Sequence, residues 1–307
     1  GVVFATGTPV SNSMTELYTI QRYLQYERLQ ELNMTHFDCW ASRFGETVTA
    51  LELAPEGTGY RARTRFSKFF NLPELMNLFK EVADIKTADQ LDLPTPEVEY
   101  HNIVAKPTEH QQDMVKALSE RAAKVHSGTV DPSTDNMLKI TSDGRKLGLD
   151  QRIINPMLPD EPGTKVNQCV DNILQIWRDG QPEKLTQLVF CDISTPQAAG
   201  SKKVAKTLDN PILHALEQAV PEPEKPLAFT VYEDIRQKLI AQGMPASQIA
   251  FIHEANTEVR KKELFSKVRS GQVRVLLGST QKMGAGTNVQ DLLVALHDLD
   301  CPWRPGD

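Results

Sequence analysis

Ser279 and Thr280 stand side by side at the end of an apolar run, Val273-Arg274-Val275-Leu276-Leu277-Gly278, and glycines follow at 284 and 286 with Asn288 just beyond. Neighbouring hydroxyls can bond phosphate oxygens, and glycines let backbone N–H groups approach an anion closely. A tight strand-to-helix turn that needs a positive φ has the same local pattern. A second segment, Phe4-Ala5-Thr6-Gly7-Thr8-Pro9-Val10-Ser11-Asn12, again delivers hydroxyls and a glycine behind an apolar run. Open α/β sheets bind ligands at the carboxyl ends of their strands, so the pair implies two α/β units that each send a loop to one cleft. Basic residues form a third group. Tyr60-Arg61-Ala62-Arg63-Thr64-Arg65-Phe66 alternates with period two, and a strand here puts Arg61, Arg63 and Arg65 on one face. That face suits a phosphate backbone or a solvated edge guarded by charge. The same two readings apply to Arg260, Lys261, Lys262, Lys267 and Arg269 on one helix, and to Lys202, Lys203 and Lys206 in one loop.

The elements that must position these residues are legible from periodicity. Gly1 to Ala5 reads as a buried strand, followed by a turn at Thr6-Gly7-Thr8-Pro9 and a helix entered through an S-x-x-E capping box at Ser13, with Leu17, Ile20 and Leu24 on one stripe. Residues 29–98 are irregular and aromatic and end in Leu93-Pro94-Thr95-Pro96, an extended connection. Val98 to Val104 fits a strand. Thr108-Glu109-His110-Gln111 is a second capping box, opening a helix with Met114, Val115, Leu118, Ala122 and Val125 inward. From residue 165 helices and strands alternate: helix 166–177, strand 187–193, helix 232–242, strand 249–252, helix 257–268, strand 273–277 and strand 292–299. That order predicts a mostly parallel sheet covered on both faces. The loop from Thr195 to Pro226 is long and proline-rich, and part of it is expected to be mobile.

Composition limits the function classes. The 307 residues suggest about two domains, and 34 basic against 40 acidic side chains give a formal charge of −6, so a nucleic-acid partner must meet a local basic patch. Cys39, Cys169, Cys191 and Cys301 lie far apart with no C-x-x-C pair, and neither His110 nor His297 has metal-ligand spacing; no metal site is expected. His253, alone after an apolar strand, fits a polar contact at the strand end or a hydrogen-bonded structural residue. The cysteine usage and the lack of a signal peptide or long apolar run point to a cytoplasmic setting with no membrane. The chain opens inside an apparent strand without methionine and closes with no cap, which reads as a piece of a longer protein.

Thr6-Gly7-Thr8-Pro9 with Asn12 resembles the T-G-T-P-x-x-N motif that ends the first motor lobe of Swi/Snf-type superfamily-two helicases. Further motifs follow in family order. Leu188-Val189-Phe190-Cys191 is similar to the strand opening the second lobe, and Phe251-Ile252-His253 with Lys261 and Val268-Arg269-Ser270-Gly271 resembles the H-G…R…F-R-S-G stretch. Ser279 to Val289 aligns without a gap to S-T-R-A-G-G-L-G-I-N-L, and Asp300-Cys301-Pro302-Trp303-Arg304-Pro305 is similar to D-x-x-W-N-P. Arg65-Phe66-Ser67-Lys68-Phe69, Leu72-Pro73-Glu74-Leu75 and Ser142-Asp143-Gly144-Arg145-Lys146 extend the resemblance to phage and plasmid proteins that join such a helicase to an adenine DNA methylase.

The resemblance implies an α/β fold of RecA-like type: residues 1–28 as the last strand and helix of the first motor lobe, 29–98 as a mainly helical insertion, and 99–307 as the second lobe. It implies an ATP-dependent helicase or translocase acting on double-stranded DNA, with ATP and Mg held largely by a first lobe elsewhere in the same chain, and a fused methyltransferase domain as a further partner. Gly284, Gly286 and Asn288 would line the ATP cleft, Thr6, Gly7 and Thr8 would couple the lobes, and Ser279, Thr280 and Lys261 would touch DNA phosphates, joined by Arg61, Arg63 and Arg65. No G-x-x-x-x-G-K-[ST] loop is present, and the only D-E pair, Asp160-Glu161, sits beside prolines instead of ending an apolar strand. The arginine motif of the family would begin just past Asp307, so these 307 residues are expected not to hydrolyse ATP unaided. Asp300-Cys301-Pro302-Trp303 also resembles the D-P-P-W motif of adenine methyltransferases, which keeps methyl transfer and a non-enzymatic docking module as alternative functions.

Overall fold

The computed structural model describes residues 3–10, 13, 15–54, 59–91, 96–196, 229–284 and 286–302. Asn12, Lys202, Lys203, Lys206, most of the 195–226 loop and Trp303 to Pro305 lie outside the described residues. The chain divides into two compact units, Gly1–Asn102 with Pro302–Asp307, and Ile103–Cys301.

The first unit has helices α1 (Thr15–Leu24), α2 (Tyr26–Glu31) and α3 (Phe37–Phe44), an antiparallel pair β1 (Gly45–Leu53) and β2 (Tyr60–Phe69), and helix α4 (Leu72–Lys80). Its core gathers around Trp40, which is fully buried and meets Tyr18, Phe44, Phe66 and Phe69 at ring-centroid distances of 5.5 to 6.5 Å. The indole N–H donates to Gln21 Oε1 (2.7 Å), Gln21 donates to Gln25 Oε1 (2.8 Å) and Gln25 to the Leu78 carbonyl (3.0 Å). This buried relay ties α1, α3 and α4 together through groups that would be costly to leave unpaired. Of the expected strand Gly1 to Ala5, Gly1 and Val2 lie outside the described residues, and residues 3–5 are not in a strand, with Val3 91% and Phe4 54% exposed. An apolar run becomes a strand only where a neighbour takes its hydrogen bonds, and none of the described residues does so.

The second unit opens with two helices, α5 (Glu109–His126) and α6 (Met137–Leu149), and continues as a parallel α/β unit. The Thr108 capping box forms as its sequence predicts, with Thr108 and Gln111 each accepting from the other's backbone N–H at 3.0 Å. Two expectations fail. Residues 98–104 contain no strand, and Val115 of α5 is 55% exposed, not inward. The inward stripe of α5 is narrower than its apolar content suggests, because α6 covers one side only.

Beyond α6 come α7 (Lys165–Asp179), β3 (Thr186–Phe190), α8 (Val231–Ala241), β4 (Ile249–Phe251), α9 (Glu258–Arg269), β5 (Val275–Gly278), the one-turn α10 (Thr280–Met283) and β6 (Leu293–Asp298). The four strands are parallel in the order β4-β5-β3-β6. Alternation sorts their side chains to two cores. Val189, Val275 and Leu277 pack with α7 and α8, whereas Leu188, Leu276 and Ala250 pack with Val268 of α9 and Met283 of α10. The result is a mixed α/β fold around a four-stranded parallel sheet, consistent with a RecA-like lobe. Arg274, 2% exposed at the entry to β5, donates to the Gly180 and Trp177 carbonyls at the end of α7 (3.0 and 3.3 Å) and to the Leu185 carbonyl. A cation there satisfies helix-end carbonyls that would otherwise be unpaired. Among the described residues no helix is long and apolar enough to cross a membrane, and no group of His, Cys, Asp or Glu is placed to hold a metal.

Candidate functional site

The strands of the second unit are parallel and end at one edge, where Ser279, Thr280, Asp192 and Asp300 meet. Ser279 follows β5 directly and is 8% exposed, while Thr280 starts α10 with its backbone N–H donating to Asp192 Oδ1 (2.7 Å). Asp192 follows β3. Its own N–H and that of Ile193 donate to the Asp300 carboxylate beyond β6, at 2.9 and 2.7 Å. Three strand ends are thus fixed to one another by two carboxylates. Burial, with Asp192 nearby, raises the pKa of Asp300 against the lowering by the two N–H donors. Tyr232 of α8 donates to the Cys191 carbonyl (2.5 Å), and Arg145 of α6 donates to the Cys301 carbonyl (2.5 Å), so helices also grip this edge.

The glycine turn hangs from this scaffold. Gly286 has φ +74 with open space where a Cβ would stand, so its requirement is conformational. Gly284 is different: its φ is −67, in the helical region, and a Cβ would lie 2.6 Å from the Thr280 carbonyl oxygen. Only one of the two glycines therefore answers to the positive-φ reading. Asn288 is exposed, and its carbonyl accepts from Arg269 Nη1 (2.7 Å), which joins the end of α9 to the end of the turn. Gly284, Gly286 and Asn288 thus lie on one stretch that follows Ser279 and Thr280. Lys261 sits on α9, paired with Glu258 at 3.1 Å.

His253, just past β4, packs edge-on against the Tyr232 ring (5.4 Å) and leaves Nδ1 buried without a partner. Burial, aided by the charge on Lys282, lowers its pKa to about 4. On β6, His297 bonds Gln187 Oε1 through Nε2 (2.9 Å), and burial lowers its pKa to about 4 as well. Both imidazoles are neutral when folded and take a proton more readily once unfolded. Their contribution to stability should therefore be complete above about pH 6.5 and fall as the pH drops towards 4. Urea titrations at pH 7, 6, 5 and 4.5 check this, and His297→Gln should shallow the decline; an unchanged midpoint across the window would refute it.

Asp160 and Glu161 play a different part. Asp160 pairs with Lys238 of α8 (2.7 Å) and Arg152 (3.3 Å). Arg152 also holds Asp150 (2.7 Å) and Asp234 (2.8 Å), and its guanidinium lies 4.6 Å from the Phe229 ring centroid. The acid of the D-E pair is a structural staple, in keeping with its place beside prolines. Sequence reasoning does not single out Arg152, Asp150 or Arg274. For Arg274 a signal exists, a lone charge between Val273 and Val275 in an apolar run.

In the first unit, Thr6, Gly7 and Thr8 are exposed, and the Thr8 N–H donates to Thr6 Oγ1 (3.1 Å). Gly7 has no positive φ, and a Cβ added to it would meet nothing within 4 Å, so no local constraint explains it. The predicted strand at 60–66 is present within β2. Arg61, Arg63 and Arg65 are exposed along it, opposite Glu52, Ala50 and Val48, and Arg65 pairs with Glu52 at 2.9 Å.

A family described as a probable helicase domain matches residues 1–87. That match relates the chain to helicases through the unit that carries Thr6-Gly7-Thr8-Pro9 and the arginine strand. No curated protein matches the chain.

Proposed function

We propose that the chain forms part of an ATP-dependent DNA helicase or translocase of Swi/Snf type, in which the parallel α/β unit is the second motor lobe. The observation that carries this reading is the edge just described: a glycine-shaped turn behind adjacent hydroxyls, held by Asp192 and Asp300 at the carboxyl ends of parallel strands. In this reading Ser279, Thr280 and Lys261 meet the DNA backbone, and Gly284, Gly286 and Asn288 face a nucleotide. The triphosphate and its Mg are held by a first lobe outside these 307 residues, since no phosphate loop lies within them and Asp160 is committed to Arg152 and Lys238. Thr6, Gly7 and Thr8 couple the two lobes. Nucleotide binding favours the closed arrangement and hydrolysis releases it, a population shift that moves the lobes along duplex DNA in the cytoplasm. A methyltransferase partner fused to the same chain is compatible with this motor. Asp300 as the acid of a methyltransferase is disfavoured, because both of its oxygens already accept backbone N–H groups.

ATP hydrolysis by the protein containing both lobes, with and without duplex DNA, tests the proposal. The expected result is DNA-stimulated turnover that falls at least about tenfold in Gly286→Val, whose β-branched side chain opposes φ +74. Unstimulated turnover, or a variant as active as the parent, would sink it.

A further inference from the structure

The β1–β2 ribbon has two chemically different faces, and both stand in solvent. Arg61, Arg63 and Arg65 alternate along one of them. Along the other run Tyr60, Ala62 and Thr64, with Ala62 opposite Leu51 and the Thr64 hydroxyl bonded to Thr49 (2.7 Å). Tyr60 and Leu51 are each 76% exposed. Among the described residues the ribbon is anchored at its base, where Phe66 and Phe69 meet Trp40. A two-stranded ribbon with no covered face is marginal in water, and an exposed apolar strand face is a liability unless something occupies it.

Charge complementarity indicates the occupant. The chain carries −6 overall, yet between Thr47 and Phe66 the sequence has three arginines against two acids, Glu52 and Glu56, and with Glu52 paired to Arg65 the exposed Arg61 and Arg63 carry the local positive charge. Alternate positions on a strand are about 6.8 Å apart, so the arginines form a comb suited to successive phosphates of one polynucleotide strand. The opposite face offers a phenol ring and a leucine, which suit the flat face of an unpaired base regardless of its identity. Bases inside a duplex are already stacked and present no such face.

We propose that the ribbon stands in a nucleic-acid fork, with the arginine face on the phosphates of one strand and Tyr60 with Leu51 against the first unpaired bases of the other. This rests on the nucleic-acid reading above and adds to it a preference for a branched substrate. Anisotropy titrations of the 307-residue chain against a duplex, a single strand and a fork, each at low and at physiological salt, test it. The fork should bind about fivefold or more tighter than the duplex or the single strand. Tyr60→Ala combined with Leu51→Ala should remove that margin without changing duplex affinity, and Tyr60→Phe should keep it. Arg61→Ala, Arg63→Ala and Arg65→Ala together should weaken the fork and the duplex and lower the salt slope by about two to three. All substituted side chains are exposed, and melting by circular dichroism verifies that the variants fold. Equal affinity for fork and duplex, equal affinity for fork and single strand, or a margin that survives loss of Tyr60 and Leu51 overturns the fork assignment alone. No binding to any of the three at low salt overturns it together with the nucleic-acid reading.

Discussion

Arg152→Ala should destabilise the parallel α/β unit by about 3–5 kcal/mol, measured as a lower midpoint in urea unfolding. The side chain of Arg152 is 10% exposed, and that of Asp150 is 1% exposed. Removing the guanidinium leaves Asp150 buried without its cation and leaves Asp234 and Asp160 dependent on Lys238. It also strips the Phe229 face of its cation. Arg152→Lys should recover only part of the loss, because one ammonium cannot reproduce guanidinium bonds to Asp150 and Asp234 at once. Replacing the whole set by apolar residues would be a different experiment, since a well-packed apolar substitute is often no less stable than a buried ion network. A cost under about 1 kcal/mol would mean that the network behaves as a solvated surface pair.

The second large effect belongs to Trp40. Trp40→Ala is expected to cost the first unit about 3–5 kcal/mol, as large-to-small changes in a packed core do. Five neighbouring rings, Tyr18, Phe37, Phe44, Phe66 and Phe69, lose their common partner, and the relay through Gln21 and Gln25 loses its donor. Trp40→Phe separates the two contributions: it keeps much of the volume but leaves Gln21 Oε1 buried without its donor, a deficit of about 1–3 kcal/mol. Thermal unfolding of both variants checks this. If the phenylalanine variant melted with the parent, the indole N–H would carry no weight and packing alone would organise this core.

Much of the α/β unit is readable from sequence because its signals are local. Strand 186–190 and helix 165–179 have the periodicity and length of their classes, and Thr108, Thr164, Thr230 and Thr257 each cap a helix through their own hydroxyl. The β2 strand has a local signal in its three alternating arginines, but residues 29–98 as a whole read as a mainly helical insertion, and the antiparallel pairing of β1 with β2 within them has no signal in the sequence of β1 alone. What misleads is apolar content without pairing. Residues 3–5 and 98–104 have strand composition, but composition does not supply the neighbour that a strand needs. Long-range polar contacts are silent for a related reason. Arg152 and Asp234 are far apart in sequence, and nothing near either one foretells that they share a bidentate contact. The place of the glycine turn is legible, yet the separate demands on Gly284 and Gly286 become visible only when φ and the distance to the Thr280 carbonyl are known. Neither Asp192 nor Asp300 stands out in the sequence as the group that holds this edge, because each accepts from backbone that belongs to another strand.

The bond pattern around Asp300 also sets an order of events during synthesis. Chains emerge from the ribosome amino end first, and β3, β5 and the turn are all made before Asp300. Asp192 can already accept the Thr280 N–H at that stage, but the backbone that presents Asp192 has not yet received its carboxylate. A nascent chain halted between β5 and Asp300 would thus carry a formed sheet edge with a slack turn. Of the four described strands of this sheet, the one translated after the others is the one that sets it.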